Sequence, residues 1–215
     1  MKSIKLIIFL ILSTTGLCVA DDTASCSENE CSYQSIPAQL SLFSPIQTST
    51  PDMSIRGLRV NLIYGENYHV SGLDLGLANC VTGDLTGWQI GVYNRVQGDV
   101  NGVQSGWVNI DDCNFKGYQR GLVNVVHGDF YGLQSGLINY TGQTIYGVQY
   151  GLINYTGQTI YGVQYGLINK TMDMCGVQLG LVNMTHSLTG VQIGLINVQT
   201  NRQVFKGLPI INASW

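Results

Sequence analysis

Between residues 72 and 197 the apolar and polar positions repeat one phrase, Gly-φ-Gln-x-Gly-φ-φ-Asn, where φ is apolar. It opens at Gly72, Gly87, Gly102, Gly117, Gly132, Gly147, Gly162, Gly176 and Gly190, so the step is 15 residues six times and then 14 twice. The third position is Gln89, Gln104, Gln119, Gln134, Gln149, Gln164, Gln178 and Gln192, with Asp74 in the first unit. Each phrase closes on an asparagine: Asn79, Asn94, Asn109, Asn124, Asn139, Asn154, Asn169, Asn183 and Asn197. Residues 140–154 and 155–169 are identical, which points to recent duplication. A fixed period of this length is the signature of a repeat architecture.

Two glycines per unit would each cost an α-helix about 1 kcal/mol, whereas Val, Ile, Leu, Tyr and Trp between them suit a strand. The phrase alternates. One face carries Gly, Gln, Gly and an aliphatic, and the other carries the apolar second and sixth positions and the Asn. Between phrases, Thr82-Gly83-Asp84 and Gln97-Gly98-Asp99 have turn chemistry. Each unit is therefore expected to be a strand of about seven to ten residues, with room for a second short one, and a turn.

Two all-β architectures accommodate such units. In a β-solenoid each unit is one coil, equivalent residues stack about 4.8 Å apart, and like amides bond up and down a ladder. In a twelve-stranded antiparallel up-and-down barrel of the outer-membrane type, successive units reverse direction, and the terminal Trp215 suits that reading. A closed barrel needs tilted strands and accumulated stagger, which a constant period does not supply. The solenoid of 15-residue repeats is the expected fold.

Flanking segments divide the chain further. Residues 1–20 read as a signal peptide: Lys2 and Lys5 precede the apolar run Leu6–Leu12, and Cys18-Val19-Ala20 offers small residues for cleavage. Residues 21–36 are polar. Residues 37–71 hold leader strands that cap the array, including the degenerate unit Gly57–Tyr64, and 198–215 form a C-terminal cap or closing strand around Gly207–Asn212. Atypical end units are expected where an open stack must stop.

Charged residues make up only 11% of the chain, against about 25% in typical globular proteins. Loss of the signal takes the formal charge from −3 to −5. With no basic stripe, nucleic acid is not an expected partner. Cys26 and Cys31 are close enough in sequence to close a small loop after export, while Cys80, Cys113 and Cys175 occupy different repeat positions and read as packed thiols or one chance pair. No Cys/His spacing suggests zinc.

Candidate chemistry is sparse. His69, His127 and His186 read as solvated turn or leader residues, since the sequence sets no cysteine or paired carboxylate near them for catalysis. Asp84, Asp99 and Asp129 recur in the turns, but the row breaks at Asn114 and Thr144 and lacks the glycine pattern of calcium β-rolls. Thr141, Thr156, Thr171 and Thr185 recur at one turn position. The sequons at Asn139, Asn154, Asn169, Asn183 and Asn212 follow from Thr or Ser two residues beyond the Asn and read as by-products. Tyr140, Tyr146, Tyr150, Tyr155, Tyr161 and Tyr165, with Trp88, Trp107, Tyr93 and Tyr118 nearby, are the best candidates for an aromatic binding strip. No catalytic residue, cofactor or metal is expected.

The G-x-Q-x-G-L-x-N units, the entry segment Gln39–Gln47 and Gly57-Leu58-Arg59-Val60-Asn61-Leu62-Ile63-Tyr64-Gly65 resemble a bacterial family of surface repeat-containing proteins first described from leptospires. The resemblance covers residues 38–215 and implies export and surface placement without a catalytic activity. The expectation is an exported structural or adhesive repeat protein meeting a surface, glycan or protein partner, with membrane association compatible. The alternative is an outer-membrane barrel.

Overall fold

The computed structural model describes residues 34–43, 46–202 and 206–215. It is an all-β solenoid of about eleven turns. Successive units lie side by side in the same direction, with Gly132 beside Gly147, Gln134 beside Gln149 and Asn139 beside Asn154. The parallel pairing runs from Ile55 to Ile196, with one register shift between Asn61 and Tyr64 in the first coil. Parallel neighbours exclude the antiparallel up-and-down barrel.

Each coil is flattened. A long wall, as in Leu85–Ile90 or Phe115–Arg120, is followed by a corner, a short wall such as Tyr93–Val96 or Val123–Val126, and a turn. Side chains alternate along the long wall, so the aliphatic two residues before the phrase, its first Gly, its Gln and its second Gly face inward. The apolar second and sixth positions face outward. The expected face assignment fails at one point: the chain turns at the corner after the sixth position, so Asn returns to the interior instead of sharing the apolar face.

Glycine is required for two separate reasons, seen in the coil of Gly147. Gly147 has φ 145°, and a Cβ there would collide with the Gly132 carbonyl oxygen of the preceding coil. Gly151 has no such dihedral demand. A Cβ there would strike the Gly136 carbonyl and the Asn139 amide. One glycine lets backbones approach, and the other leaves room for a ladder.

The interior is half apolar and half amide. Ile55, Val70, Leu85, Val100, Phe115, Phe130, Ile145, Ile160, Met174 and Leu188 form one continuous buried row, with Phe115 and Phe130 stacked at 5.2 Å. Beside it every repeat Gln and Asn is fully buried. Where the step falls to 14, the missing residue is taken from the turn. The hydroxyls of Thr171 and Thr185 donate to the carbonyls of Asp173 and Ser187 and close those shorter turns. Thr141, Thr156 and Thr185 are thus buried on the short wall's inner face, not on the turns as the sequence suggested, while Thr171 is buried in the turn just after that wall.

Both ends break the parallel rule. At the N-terminal end, Ser35–Phe43 adds a parallel strand to Ser54–Asn67 and pairs antiparallel with Ile46–Gln47. At the C-terminal end, Gly207–Ser214 turns back antiparallel along Ser187–Gln199. The Arg202 guanidinium donates to the Ala213 carbonyl, a cationic guard of the kind that blunts sheet edges.

Candidate functional site

The amide ladders are a framework, not a site. Each Gln Nε2 donates to the Gln Oε1 of the preceding coil at 2.7–2.9 Å, from Gln192 back to Gln104. Gln89 then donates to Asp74. The Asn ladder runs the other way, each Nδ2 donating forward to the next Oδ1 at 2.8–2.9 Å. Its second N–H donates to a backbone carbonyl of the following coil, as Asn154 does to Tyr165. Side chains so occupied are closed to ligands and to glycosylation, so the sequons at Asn139, Asn154, Asn169 and Asn183 are unusable in the folded chain.

Asp74 ends the Gln ladder. Its carboxylate accepts from Gln89, from Asn61 and from two nitrogens of the buried Arg59 at 2.6–2.7 Å. Since the ladder's donors all point toward the N-terminus, its last member must accept only, and a carboxylate does what an amide cannot. The departure from Gln at 74 is therefore built into the design of that end, and Arg59 balances the charge it introduces.

A second buried carboxylate was missed in the sequence. Asp111 replaces the Val or Thr of the other coils at the inner face of the short wall and accepts from Gln104 and Gln119. Burial holds its carboxyl well above the ordinary carboxylate range; the Gln104 hydrogen bond opposes this and the charge of Asp112 adds to it. The next residue, Asp112, is shifted the opposite way. Burial alone would raise it, but His127 and Arg95 together hold it below its usual value. The available signal was positional: Asp111 is an acid aligned with Val96 and Val126.

The turn acids tie each turn to the next coil and do not close their own turns. Asp84 Oδ1 accepts the backbone N–H of Asp99, Asp99 that of Asn114, Asn114 that of Asp129, and Asp129 that of Thr144. His69 begins the row by accepting from the Asp84 N–H at 2.6 Å. No group of three or more His, Cys, Asp or Glu arranged for a metal ion occurs among the described residues. Cys80 and Cys113 are both disulfide-bonded, in keeping with the paired reading and not with packed thiols, and Cys175 is a free, half-buried thiol. Cys26 and Cys31 lie outside the described residues.

The tyrosine strip is divided by the fold. Tyr131 stacks on Tyr146 at 4.8 Å and Tyr146 on Tyr161 at 5.0 Å, and Tyr150 and Tyr165 stack at 5.3 Å, all on the long wall. Tyr140 and Tyr155 form a third stack on the short wall, where Lys170 lies over the Tyr155 ring. Tyr93 is buried on that wall too. In all three stacks the rings cover each other's faces at the coil spacing and present edges and hydroxyls outward.

What the long wall and corner expose is a broad apolar surface. Trp88 is 59% exposed and Trp107 64%. At the corner a row of Leu77, Val92, Trp107, Leu122, Leu137, Leu152, Leu167, Leu181 and Leu195 projects along the whole array. Between Leu137–Leu181 and the Tyr150–Tyr165 stack, with the second glycines as its floor, runs a shallow groove. The sequence marked the tyrosines but missed the leucine row, because alternation cannot reveal which apolar face is the outside. No family model, curated protein or solved structure matches this chain.

Proposed function

We propose that this chain is an exported, surface-displayed repeat protein with a structural or adhesive role and no catalytic chemistry. The observation that carries the reading is the contrast between a saturated interior and an exposed apolar wall. The polar groups that could do chemistry are largely tied into ladders, while the residues left free to meet a partner are Trp, Tyr and Leu in rows. Exposed apolar surfaces of this extent mark interaction sites, and a row repeated coil after coil multiplies weak contacts through effective concentration. The signal-like residues 1–20 and the resemblance to bacterial surface repeat proteins support export.

The test is expression of the whole chain in an export-competent bacterial host, with intact-cell labelling by a membrane-impermeant amine reagent. A labelled protein whose N-terminus lies near Asp21 is expected. An unprocessed chain, protected from the reagent and recovered in the cytoplasm, would overturn the proposal.

A further inference from the structure

The outward positions of the long wall and corner carry an unusual charge pattern. From Arg56 to Leu195 they include three cations, Arg56, Lys116 and Arg120, and no acidic residue. Yet the chain as a whole has 13 acidic residues against 10 basic ones. The acids are elsewhere: Asp74 and Asp111 are sealed inside, and Asp84, Asp99, Asp129 and Asp173 lie along the turn edge, across the flattened coil from the corner row. The solenoid is amphipathic across its width, with an acidic edge on one side and a cation-bearing apolar edge and wall on the other.

We infer that this wall and its corner row dock on the surface of a lipid bilayer bearing anionic headgroups. Aliphatic side chains on a projecting edge can enter the acyl boundary, and Trp and Tyr, apolar in body and polar at the tip, sit at headgroup depth. Trp107 within the corner row, with Trp88 and the two long-wall tyrosine stacks beside it, provides such a belt. Arg120, two residues before Leu122 on the same outward face, and Lys116 meet the anionic headgroups; the turn acids stand at the other end of the long wall, near Lys116 and Tyr146, so the corner side is the one that faces a negative surface. A second copy laid on the same wall would bury Arg56, Lys116 and Arg120 with no carboxylate to receive them, and the lipid surface supplies that missing charge. The leucine row lies straight along the array because all coils share one register, so the rod would lie flat and bind through many shallow contacts.

The inference rests on the reading of the wall as the contact surface, but its test is independent of export. The purified chain lacking residues 1–20 is floated with vesicles of phosphatidylcholine alone or of phosphatidylcholine with roughly one quarter phosphatidylglycerol. Flotation with the anionic vesicles is expected. In a Trp215→Phe background, quenching of Trp88 and Trp107 by lipids brominated on the acyl chain is also expected. Each basic residue near an anionic surface contributes about fivefold, so Lys116→Glu with Arg120→Glu should reduce anionic binding at least tenfold and leave the phosphatidylcholine baseline unchanged. Leu137→Asp with Leu152→Asp should abolish flotation while circular dichroism and the unfolding midpoint stay close to wild type, since both side chains are already exposed. Absence of flotation with either vesicle would overturn the inference and leave surface display standing. So would flotation indifferent to both double variants. A vesicle-free dimer that Leu152→Asp dissociates would overturn it in favour of self-association.

Discussion

The two amide ladders share one interior, yet they differ in direction and in anchoring. The Gln ladder donates toward the N-terminus, and most of its bonds run from side chain to side chain. The Asn ladder donates toward the C-terminus and ties each side chain to the next Asn and to a backbone carbonyl as well. Asn is shorter and sits just past the corner, so its amide can reach the carbonyl that the second glycine leaves accessible. This explains an asymmetry of the sequence. The Asn position is kept in all nine units, whereas the Gln position is replaced at the end of its row by Asp74. A residue that satisfies backbone as well as side chain has no substitute. One that bonds chiefly to other side chains can be exchanged where its row stops.

The ends of the ladders give the strongest way to break this comparison. Asp74→Ala leaves the buried Arg59 without its counter-ion, and breaking a buried pair from one side costs about 3–5 kcal/mol. Asp74→Gln is the sharper variant, because it restores the repeat residue and should still destabilise: an amide there turns at least one N–H toward Arg59 or Gln89, which are donors. Urea denaturation of both variants measures the cost. A stabilised Asp74→Gln protein would mean that donor direction does not govern the row.

Within the array, Asn154→Leu should cost more than Gln149→Leu. The Asn change takes a side-chain donor from the Tyr165 carbonyl and leaves one N–H of Asn139 Nδ2 and the Asn169 Oδ1 without their partner, and unsatisfied buried groups cost about 1–3 kcal/mol each, moderated by relaxation. The Gln change removes side-chain bonds whose partners keep some freedom to rotate, so about 1 kcal/mol is expected. Equal losses in the two denaturation curves would sink the claim that backbone anchoring distinguishes the rows.

A smaller effect separates Asp111 from its stacked neighbours Val96 and Val126. Because burial raises its carboxyl in the fold, the unfolded chain releases this proton above pH about 4 while the folded chain still holds it. Stability should therefore be greatest in acid and fall as pH rises through the folded value. Asp112 works in the opposite window: its lowered value gives stability that is lost as pH falls below the ordinary carboxylate range. Asp111→Val should raise the unfolding midpoint at pH 7, by a free energy on the order of 1 kcal/mol, and the gain should shrink toward pH 4. A gain independent of pH would assign the effect to packing instead of charge.

The period, the parallel stacking and both amide rows were legible in the sequence because one residue type recurring at one place needs a partner of its own kind. The inside was harder to read. Alternation separates two faces but does not say which is buried, and ordinary hydrophobicity would have placed Leu152 inward and Gln149 outward, the reverse of what the coil does. The corner's change of parity also hid the Asn, and the buried threonines passed for turn residues because Gly follows Thr141 and Thr156 directly. The tyrosine strip was half legible: composition found the residues, but only the coil's two walls separate Tyr140 and Tyr155 from the rest.

The mildest perturbation should be the largest in residue number. Deleting residues 140–154 removes a whole coil, yet residues 155–169 repeat its sequence, so Asn139 would meet Asn169 and Gln134 would meet Gln164 through the contacts it made before. Every junction in the shortened chain already exists in the intact one. Stability of a stacked array is close to a sum over units and nearest-neighbour interfaces, so the loss is one unit and one interface among about eleven turns, an expected change of about 1 kcal/mol or less with proportionally reduced β-type circular dichroism. Deleting seven residues instead, about half a coil, should cost far more: it would set Gln against the wall of the next coil, flip the inward set outward and leave both ladders cut. If the half-coil deletion were tolerated as well as the full one, the register of the amide rows would not be what holds the coils together.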